Sequence, residues 1–569
     1  MPQEKVNIAG KGTAGNTYDA IVIGSGISGG WAAKELCEKG LKTLVLERGR
    51  NVEHVKDYPT ATTAPWEFKH SGQVSEEMRR KQHVQVRGFC NEANSHFFVD
   101  DIEHPYVQEK PYDWIRGYHV GGRSLMWGRQ CYRWSDIDFE ANAKDGHGVD
   151  WPIRYKDIAP WYSYVEKFAG ISGSREGLPQ LPDGEFLPPM EMNCLERHTS
   201  DAIKSKFPER RMIIGRVANL TKGFKDRGPC QFRNMCDRGC PFGGYFSSNA
   251  ATLPVASATG NMTLRPDSIV SEIIYDKQTK KAKGVRVIDA HTMKAEEYYA
   301  RIVFVNAGSI ASTSILLNSV SDAFPNGMGN GSGELGHNLM DHHYHVGISG
   351  KYEGFSDKYT YGRRANGIYI PRFRNISKET MMKDFLRGYG YQGGASRGRP
   401  DGAEGIGGDY KDNLTEPGPW SMWIGGWGEQ LPDHKNRLYL SKDQKDKWGL
   451  PQVVFDAEWG TNEFAMRKDI LQCGAEMLEA AGIKDISTYD DPKANPGLCI
   501  HEMGTARMGL DPKTSVLNKW NQVHEVPNVF VTDGACMASS ANQNPSVTYM
   551  ALTARAADHA VSEMKKGNL

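Results

Sequence analysis

Residues 18–49, YDAIVIGSGISGGWAAKELCEKGLKTLVLERG, decide the fold of this chain. The apolar, β-branched run DAIVIG predicts a strand, and WAAKELCEKG predicts a helix that ends at Gly40. KTLVLERG predicts a second strand. The order strand, turn, helix, strand predicts one βαβ unit of about 30 residues.

The turn between the first strand and the helix has the spacing of a dinucleotide-binding loop. Gly24, Gly26 and Gly29 form G-x-G-x-x-G, and Glu47 ends the next strand about 20 residues later. The first glycine allows the tight turn, the second lets a pyrophosphate approach the backbone, and the third lets the helix pack on the strand. The helix N-terminus then faces the phosphates with its partial positive charge, and Glu47 is predicted to bind the adenosine ribose. The opening position of this unit and a returning C-terminal strand that ends at Asp533 favour FAD over NAD.

A second motif gathers three cysteines in residues 228–244, GPCQFRNMCDRGCPFGG. Five residues separate Cys230 from Cys236, three separate Cys236 from Cys240, and Pro241 follows. This spacing predicts an iron–sulfur cluster. Three cysteines favour [3Fe–4S], while a fourth ligand from elsewhere would allow [4Fe–4S]. Zinc, which prefers four ligands, and three inert thiols are the alternatives.

Composition excludes several classes of protein. The chain has 569 residues, 39% of them hydrophobic, and equal numbers of acidic and basic side chains. This size predicts about two to four domains, and the neutral charge argues against nucleic acid or an anionic membrane as a partner. No apolar run approaches the ~20 residues of a membrane helix. The polar N-terminus, MPQEKVNIAGKGTAGNTYDA, lacks the apolar core of a secretory signal. Alone, it predicts a cytoplasmic protein, unless a partner that carries a signal exports it.

Other segments predict further strands and helices. MTLRPDSIVSEIIYD and GVRVIDA predict strands, and ARIVFVNAGSIASTSILLNS predicts a second strand–turn–helix unit. Residues 50–116 predict long loops, and residues 351–451 are rich in Gly, Trp and Tyr. NVFVTDG predicts a late strand, followed by a helix with Pro545 at its first position.

The C-terminal part predicts a site for an alcohol. The positive end of the last helix would stabilise negative charge on a reduced flavin. His501, in HEMGTARMG, has the side chain suited to take a hydroxyl proton, and Asn544 is placed to hold the same hydroxyl. His342 and His343 fit either residues that face a substrate or a heme, or structural residues near the flavin domain, and the second interpretation is favoured. Trp420, Trp423 and Trp427 fit either stacking on a sugar face or core packing.

Together these motifs resemble the glucose–methanol–choline (GMC) flavoprotein oxidoreductases. The resemblance covers the N-terminal glycine motif, GGRSLMWG, VNAGSIASTSILL, GHNLMDH and residues 501–561. It implies an α/β fold with a discontinuous, Rossmann-like FAD-binding domain and a substrate domain built on an antiparallel sheet. The implied FAD-binding domain comprises residues 15–55, 110–150, 195–345 and 495–569, with an iron–sulfur insertion at about 225–250. Residues 56–109, 151–194 and 346–494 form the implied substrate domain.

The resemblance also assigns site residues. It implies His501 as the catalytic base and Asn544 as its partner. In some relatives the position of Met126 holds a histidine that bonds covalently to FAD; a thioether does not readily form that bond, so we predict non-covalent FAD. The predicted cofactor-binding residues are Gly24, Gly26, Ser28, Gly29, Glu47, Arg48, Gly121, Gly122, Ser124, Met126, Val270, Asn306, Ala307, Gly308, Asp533 and Asn544.

The cysteine spacing is similar to that of the bacterial FAD and iron–sulfur sugar dehydrogenases, and the likeness is greatest to the glucoside 3-dehydrogenases. Gln231 and Ile500 stand where the glucose dehydrogenases of this branch have a cysteine and an asparagine. The likeness implies oxidation of a secondary hydroxyl of a sugar or glucoside, at C3, to a keto sugar. It also implies a small signal-bearing subunit, a cytochrome c acceptor and co-export to the periplasm. The alternatives are a pyranose-type sugar oxidase, a non-catalytic electron-transfer flavoprotein, and a family member for which 3-oxidation is the first step in detaching aglycones from glycosides.

Overall fold

The computed structural model describes residues 15–360, 362, 364–398, 405–491 and 493–569, so most of the predicted N-terminal tail lies outside the described residues. The strands are β1 Thr17–Ile23, β2 Thr43–Leu46, β3 Val107–Gln108, β4 Ile213–Ile214, β5 Met262–Arg265, β6 Ser268–Asp276, β7 Lys281–Asp289, β8 Ala295–Val305, β9 Val346–Tyr352, β10 Ile368–Ile370, β11 Tyr389–Arg397, β12 Trp420–Gly428, β13 Arg437–Lys445, β14 Pro451–Asp456, β15 Lys484–Asp490, β16 Gln522–Val523 and β17 Val526–Val531. The α-helices are α1 Ile27–Glu38, α2 Glu76–Lys81, α3 Asp136–Phe139, α4 Ala141–Asp145, α5 Tyr155–Ala169, α6 Cys194–Lys206, α7 Thr252–Ala258, α8 Ser309–Asn318, α9 Gly408–Thr415, α10 Thr461–Ala480 and α11 Ser546–Lys565.

The first sheet contains the predicted βαβ unit. Its main path runs β16-β17-β8-β1-β2-β5, and the pairs from β17 to β5 are parallel. β6 and β7 extend it through the antiparallel pairing of β7 with the first half of β8. β1 is buried between β8 and β2, as expected for the central strand of a doubly wound sheet. The α/β class is confirmed.

The glycine turn after β1 is fixed by close backbone contacts. Gly24 has φ +95°, and a Cβ added there would lie 2.3 Å from the Asn306 carbonyl oxygen. A Cβ at Gly29 would lie 1.9 Å from the Gly24 carbonyl oxygen. Both glycines are therefore required by the packing of β1 against β8 and α1.

The second sheet is antiparallel, in the order β15-β9-β12-β11-β10-β4. α10 packs on one face, where Tyr391, Met422 and Ile424 join its core. Because strand side chains alternate, Gln392 and Trp427 point to the opposite face, where they line a cavity. The predicted antiparallel second sheet is thus confirmed.

The remaining elements close the structure around the two sheets. β13, β14 and β3 form a small third sheet, and α5 packs against α11 beside the first sheet. Residues 50–116 contain little regular structure, as predicted. Pro545 is the N-cap of α11, one position before the predicted one. The domain boundaries stay a prediction, and none of the described helices has the length and apolar character to cross a membrane.

Candidate active site

A cavity of about 470 Å³ lies between the carboxyl ends of the first sheet and the inner face of the second. Ligands of open α/β sheets bind at this edge. The predicted residues that line the cavity are Gly24, Gly26, Ser28, Glu47, Arg48, Gly122, Ser124, Met126, Val270, Asn306, Ala307, Gly308, Asp533, Asn544 and His501. Gly29 and Gly121 lie behind this lining, where they allow close packing.

The glycine end of the cavity is shaped for a dinucleotide. A Cβ at Gly26 would meet nothing within 4 Å, so the space beside this residue is open to a ligand. Nearby, the Nδ2 atom of Asn306 is buried without a hydrogen-bond partner. An open cradle at the N-terminus of α1 and a buried polar atom without a partner fit a phosphate-bearing cofactor such as FAD.

Glu47 is held at the end of β2 by the glycine turn itself. Its carboxylate accepts hydrogen bonds from the Ser25 backbone (3.1 Å), the Ser25 hydroxyl (2.5 Å) and the Gly49 backbone (3.0 Å). The Ser25 hydroxyl in turn accepts from the Gly121 backbone at 2.9 Å. Burial raises the pKa of Glu47. Glu47 thus joins the glycine turn at Ser25, the end of β2 at Gly49 and, through the Ser25 hydroxyl, the turn at Gly121.

Asp533 has a similar position at the other side of the cavity. It accepts from the Gly308 backbone (2.9 Å) and the Ser312 hydroxyl (2.5 Å), which ties the end of β17 to the start of α8. Burial raises the pKa of Asp533 to about 6. Asp533 thus links the C-terminal strand β17 to the strand–helix unit of β8 and α8 at this side of the cavity.

His501 lies in the wall with its imidazole between Asn544 and a second histidine. Its Nε2 is 3.3 Å from Asn544 Nδ2, and its Nδ1 is 2.9 Å from His342 Nδ1. Burial, with the nearby His342 and Arg123, lowers the pKa of His501 well below its ordinary value. Burial likewise lowers the pKa of His342 to about 4. Both rings are therefore neutral at pH 7, and each bears one N–H.

The hydrogen bonds of His342 determine where those two protons are. His342 Nε2 lies 2.9 Å from the Ala541 carbonyl oxygen and 3.2 Å from that of Ser540. Carbonyl oxygens only accept, so the N–H of His342 is on Nε2 and its Nδ1 is an acceptor. The N–H of His501 is then on Nδ1, so its Nε2 is unprotonated and accepts the hydrogen bond from Asn544 Nδ2.

Asn544 is oriented by an equivalent contact. Gln392 Nε2 donates to Asn544 Oδ1 at 2.7 Å, which turns the Asn544 NH₂ group toward His501. Gln392 is buried on β11 of the second sheet. A residue of the second sheet, Gln392, therefore orients Asn544, which lies at the carboxyl end of the first sheet.

A buried carboxylate holds the segment that carries His501. Asp341 accepts from the backbone N–H groups of Gly497 (2.9 Å), Cys499 (3.1 Å) and His501 (2.9 Å). Ile500, between the last two, has φ +66°, a conformation that side chains rarely adopt. Three hydrogen bonds to one side chain keep this strained loop in place.

Arg123 and Glu502 link the same loop to the turn at residues 121–127. The guanidinium donates twice to the Glu502 carboxylate, at 2.8 Å each. Bidentate pairs of this kind fix geometry as well as charge. The pair therefore ties the turn to the loop that carries His501.

The three predicted cluster cysteines lie together. Cys236 packs with Tyr245 and Ala365, and Cys230, Cys240 and Trp127 border the same group. Trp127 also lines the cavity. Among the described residues, the possible metal ligands whose donor atoms all lie within 4.8 Å of one another are His342, Cys499 and His501. The cysteine trio is thus wider than the ligands of one zinc ion, whose sulfurs stand about 4 Å apart at a Zn–S distance of ~2.3 Å.

The surroundings of the cysteine trio favour negative charge. The Gly244 backbone donates to Cys240 Sγ at 3.3 Å and Asn219 to Cys236 Sγ at 3.8 Å. Arg227 lies beside Cys240 with its Nη2 buried and unpartnered, and burial lowers the pKa of Arg227 to about 10. Within the described residues, Arg227 forms no ion pair with a carboxylate. Donors to sulfur and an uncompensated buried cation fit an anionic cluster.

Sequence reasoning missed several of these residues. His342 was interpreted as structural, and neither Gln392 nor Asp341 was considered. His342 contacts His501 across 159 positions of sequence, and no spacing rule connects them. The GHNLMDH motif around His342 was visible, but its contact partner was not.

Comparison with known proteins gives a family match over most of the chain. Models described as GMC oxidoreductase match residues 18–344 and 432–553. The chain is 28% identical to 2-methyl-1,2-propanediol dehydrogenase of Mycolicibacterium austroafricanum, over 96% of both chains. It is 25% identical to the fructose dehydrogenase large subunit of Gluconobacter japonicus, over 96% of this chain and 98% of that one.

A solved structure shares the fold. Formate oxidase of Aspergillus oryzae RIB40 superposes with a TM-score of 0.63 at 13% identity, over 98% of this chain and 100% of that one. At this identity the likeness concerns architecture alone.

Two glycine variants separate the cofactor role of the turn from its structural role. Gly26→Ala has room in the protein, so the thermal midpoint of the FAD-free protein should stay unchanged, whereas FAD affinity measured by fluorescence titration should fall at least ~10-fold because the methyl group enters the cradle. Gly29→Ala should destabilise the FAD-free protein by about 3 kcal/mol, the upper range for overpacking. Unchanged FAD affinity in Gly26→Ala would contradict this assignment.

Proposed function

The chain belongs to the GMC oxidoreductase family, flavin-dependent enzymes of CH–OH donors, and from this premise we propose that it is a sugar dehydrogenase. It oxidises a secondary hydroxyl of a glucoside, at C3, to a ketone and delivers the electrons to an external acceptor. The observation that carries the proposal is the neutral His501, whose unprotonated Nε2 lies at the cavity and accepts a hydrogen bond from Asn544 Nδ2.

His501, Asn544 and His342 have different roles in the proposed alcohol oxidation. His501 Nε2 takes the hydroxyl proton, and the Asn544 NH₂ group holds the hydroxyl oxygen. His342 keeps Nε2 of His501 unprotonated, because His342 Nδ1 accepts a hydrogen bond from the N–H on His501 Nδ1. FAD, when bound, supplies the acceptor for the hydride that leaves the same carbon.

The charge of the cavity suits a cofactor that becomes negative on reduction. Asn544, Pro545 and Ser546 line the cavity, so the N-terminus of the 20-residue helix α11 faces it. The first turn of such a helix favours a nearby anion by about 0.3–1 kcal/mol. This end of the helix is placed to raise the electron affinity of the bound flavin.

The polar wall offers several groups to sugar hydroxyls. Gln130, Asn366 and Gln392 all line the cavity, and Gln130 Nε2 donates to Asn366 Oδ1 at 3.3 Å. Amides can both donate and accept, which matches the mixed character of a hydroxyl group. A fructose dehydrogenase subunit among the relatives supports a sugar as substrate.

A cluster held by Cys230, Cys236 and Cys240 would supply one-electron acceptance next to the cavity. Trp127 borders both the cavity and the cysteine group. We propose [3Fe–4S] on the three thiols, because the described residues place no fourth cysteine in this group.

Export and partners complete the proposal. The similarity to a protein named as a large subunit supports assembly with further subunits. We propose a small signal-bearing subunit that brings the chain to the periplasm and a cytochrome c as acceptor. Co-purification of the chain with a signal-bearing protein encoded beside it tests this part.

His501→Ala tests the base. The rate of FAD reduction by methyl glucosides should fall by about 10²–10⁴, the usual contribution of a general base, as measured by anaerobic stopped-flow absorbance. His434→Ala, an exposed histidine outside the cavity, is the matched control. A His501→Ala protein that holds FAD and is reduced at the wild-type rate would remove the assignment.

His342→Ala tests the proton arrangement. Without the Nδ1 acceptor, the His501 proton redistributes between its two nitrogens, and the FAD-reduction rate should fall about 10-fold. FAD content and the half-saturating sugar concentration should stay as in wild type. His345→Asn, in the same segment, is the control. A change in half-saturation with no change in the limiting rate would contradict this role.

Cys236→Ser tests the cluster. Wild-type protein purified without oxygen should contain iron and acid-labile sulfide, and Cys236→Ser should lose both while FAD reduction by sugar continues. Cys90→Ser replaces another buried thiol and should keep its iron. Wild-type protein without iron would reject the cluster, and rapid reoxidation of that protein by air would favour the oxidase alternative.

A further inference from the structure

Three aromatic rings form a staircase along one wall of the cavity. Trp427 and Tyr344 have ring centroids 5.6 Å apart at an interplanar angle of 22°, and Tyr344 and Phe89 follow at 6.4 Å and 20°. All three residues line the cavity. We call Trp427, Tyr344 and Phe89 the aromatic staircase.

The staircase runs outward from the catalytic histidine. Trp427 and Tyr344 lie beside Cys499, whose Sγ is 3.4 Å from His501 Nδ1. At the outer end, Phe89 is 54% exposed to solvent. A ligand with its reacting carbon at His501 would therefore extend along these rings toward the mouth.

The hydrophobic cores of the described residues do not account for this arrangement. None of the three rings belongs to a hydrophobic core among the described residues, although most large aromatic side chains here do. A phenyl group that is half exposed, nearly parallel to its neighbour and at a cavity mouth leaves apolar surface in water. Such surface commonly marks a binding site.

The two ends of the staircase differ in chemistry. Near His501, the amides of Gln392 and Asn544 accompany Trp427, so this end can bind hydroxyl groups as well as a ring face. Phe89 has neither a hydroxyl nor a ring nitrogen and offers an apolar face alone. An aryl ring can stack offset on this face over its whole area, whereas a second sugar would contact it only through its C–H groups, so the outer end favours an aryl ring.

We propose that the outer staircase, Tyr344 and Phe89, is a binding subsite for an aromatic aglycone, and that the enzyme prefers aryl glucosides to free or alkylated sugars. The inference rests on the proposed function, since it takes the sugar ring to be the part oxidised at His501. The sugar then lies against Trp427 and the amides, and the aryl group stacks at the mouth.

Anaerobic flavin reduction by a set of substrates tests the subsite. Glucose, cellobiose, and the methyl and phenyl glucosides of both anomeric configurations are mixed with the FAD-loaded wild-type protein. We expect kcat/KM for the better phenyl glucoside to exceed that of the matching methyl glucoside at least ~10-fold, in line with one or two stacking contacts. In Phe89→Ala the phenyl-to-methyl ratio should fall about 5-fold. Trp66→Ala removes an exposed tryptophan outside the cavity wall and should keep the ratio.

The outcomes separate this inference from the function on which it rests. If no sugar or glucoside reduces the flavin, the proposed function fails. If methyl and phenyl glucosides react equally, or Phe89→Ala leaves their ratio unchanged, the subsite is overturned while the dehydrogenase assignment stands. A larger preference for cellobiose than for phenyl glucoside overturns the aromatic ligand in favour of a second sugar.

Discussion

The Asp341 carboxylate makes the contacts on which the position of His501 depends. It lies in the segment between the two sheets and accepts three backbone N–H groups from the loop that carries Cys499 and His501. Burying a carboxylate is costly unless its oxygens are hydrogen-bonded, and here the loop supplies those donors. Burial and the charge of Glu502 raise the pKa of Asp341 to about 7. The loop and the carboxylate thus satisfy each other, and the left-handed Ile500 between them is retained.

The side chains that contact His501 differ in character from those around the cysteine trio. The side chains of His501 and Asn544 contact a neutral histidine and a neutral amide, His342 and Gln392, while the charged Arg123–Glu502 pair lies in the same wall. The cysteine end instead has buried Arg227, which finds carbonyl oxygens but no carboxylate among the described residues. One cavity wall is therefore suited to moving a proton, and the adjoining segment is suited to stabilising electrons.

The sequence was sufficient for features that depend on local spacing. The βαβ unit, the glycine turn, Glu47 at the end of β2 and the strand that ends at Asp533 follow from hydrophobic pattern and turn chemistry. Family resemblance added His501 and Asn544, and both line the cavity as expected. Their roles stay predictions, although their contact at 3.3 Å agrees with them.

Sequence was insufficient where a role depends on a contact between distant segments. His342 fixes the proton of His501, and Gln392 orients Asn544, through hydrogen bonds across 159 and 152 positions. The sequence does not distinguish sugar stacking from core packing for Trp427. Its placement required the register of β12, where Trp420 and Met422 face the core and Trp427 faces the cavity. Phe89 lies in a segment with little regular structure, where periodicity gives no information.

That irregular segment has a consequence for how the protein can diversify. Phe89 and several other residues of the segment 50–116 line the cavity, and the segment contributes no strand to either large sheet. Surface segments of this kind tolerate insertion and replacement better than sheet strands do. Sequence changes in this segment can therefore alter which molecules enter the cavity. They need not change His342, His501 or the Asp341 carboxylate that holds the loop of His501.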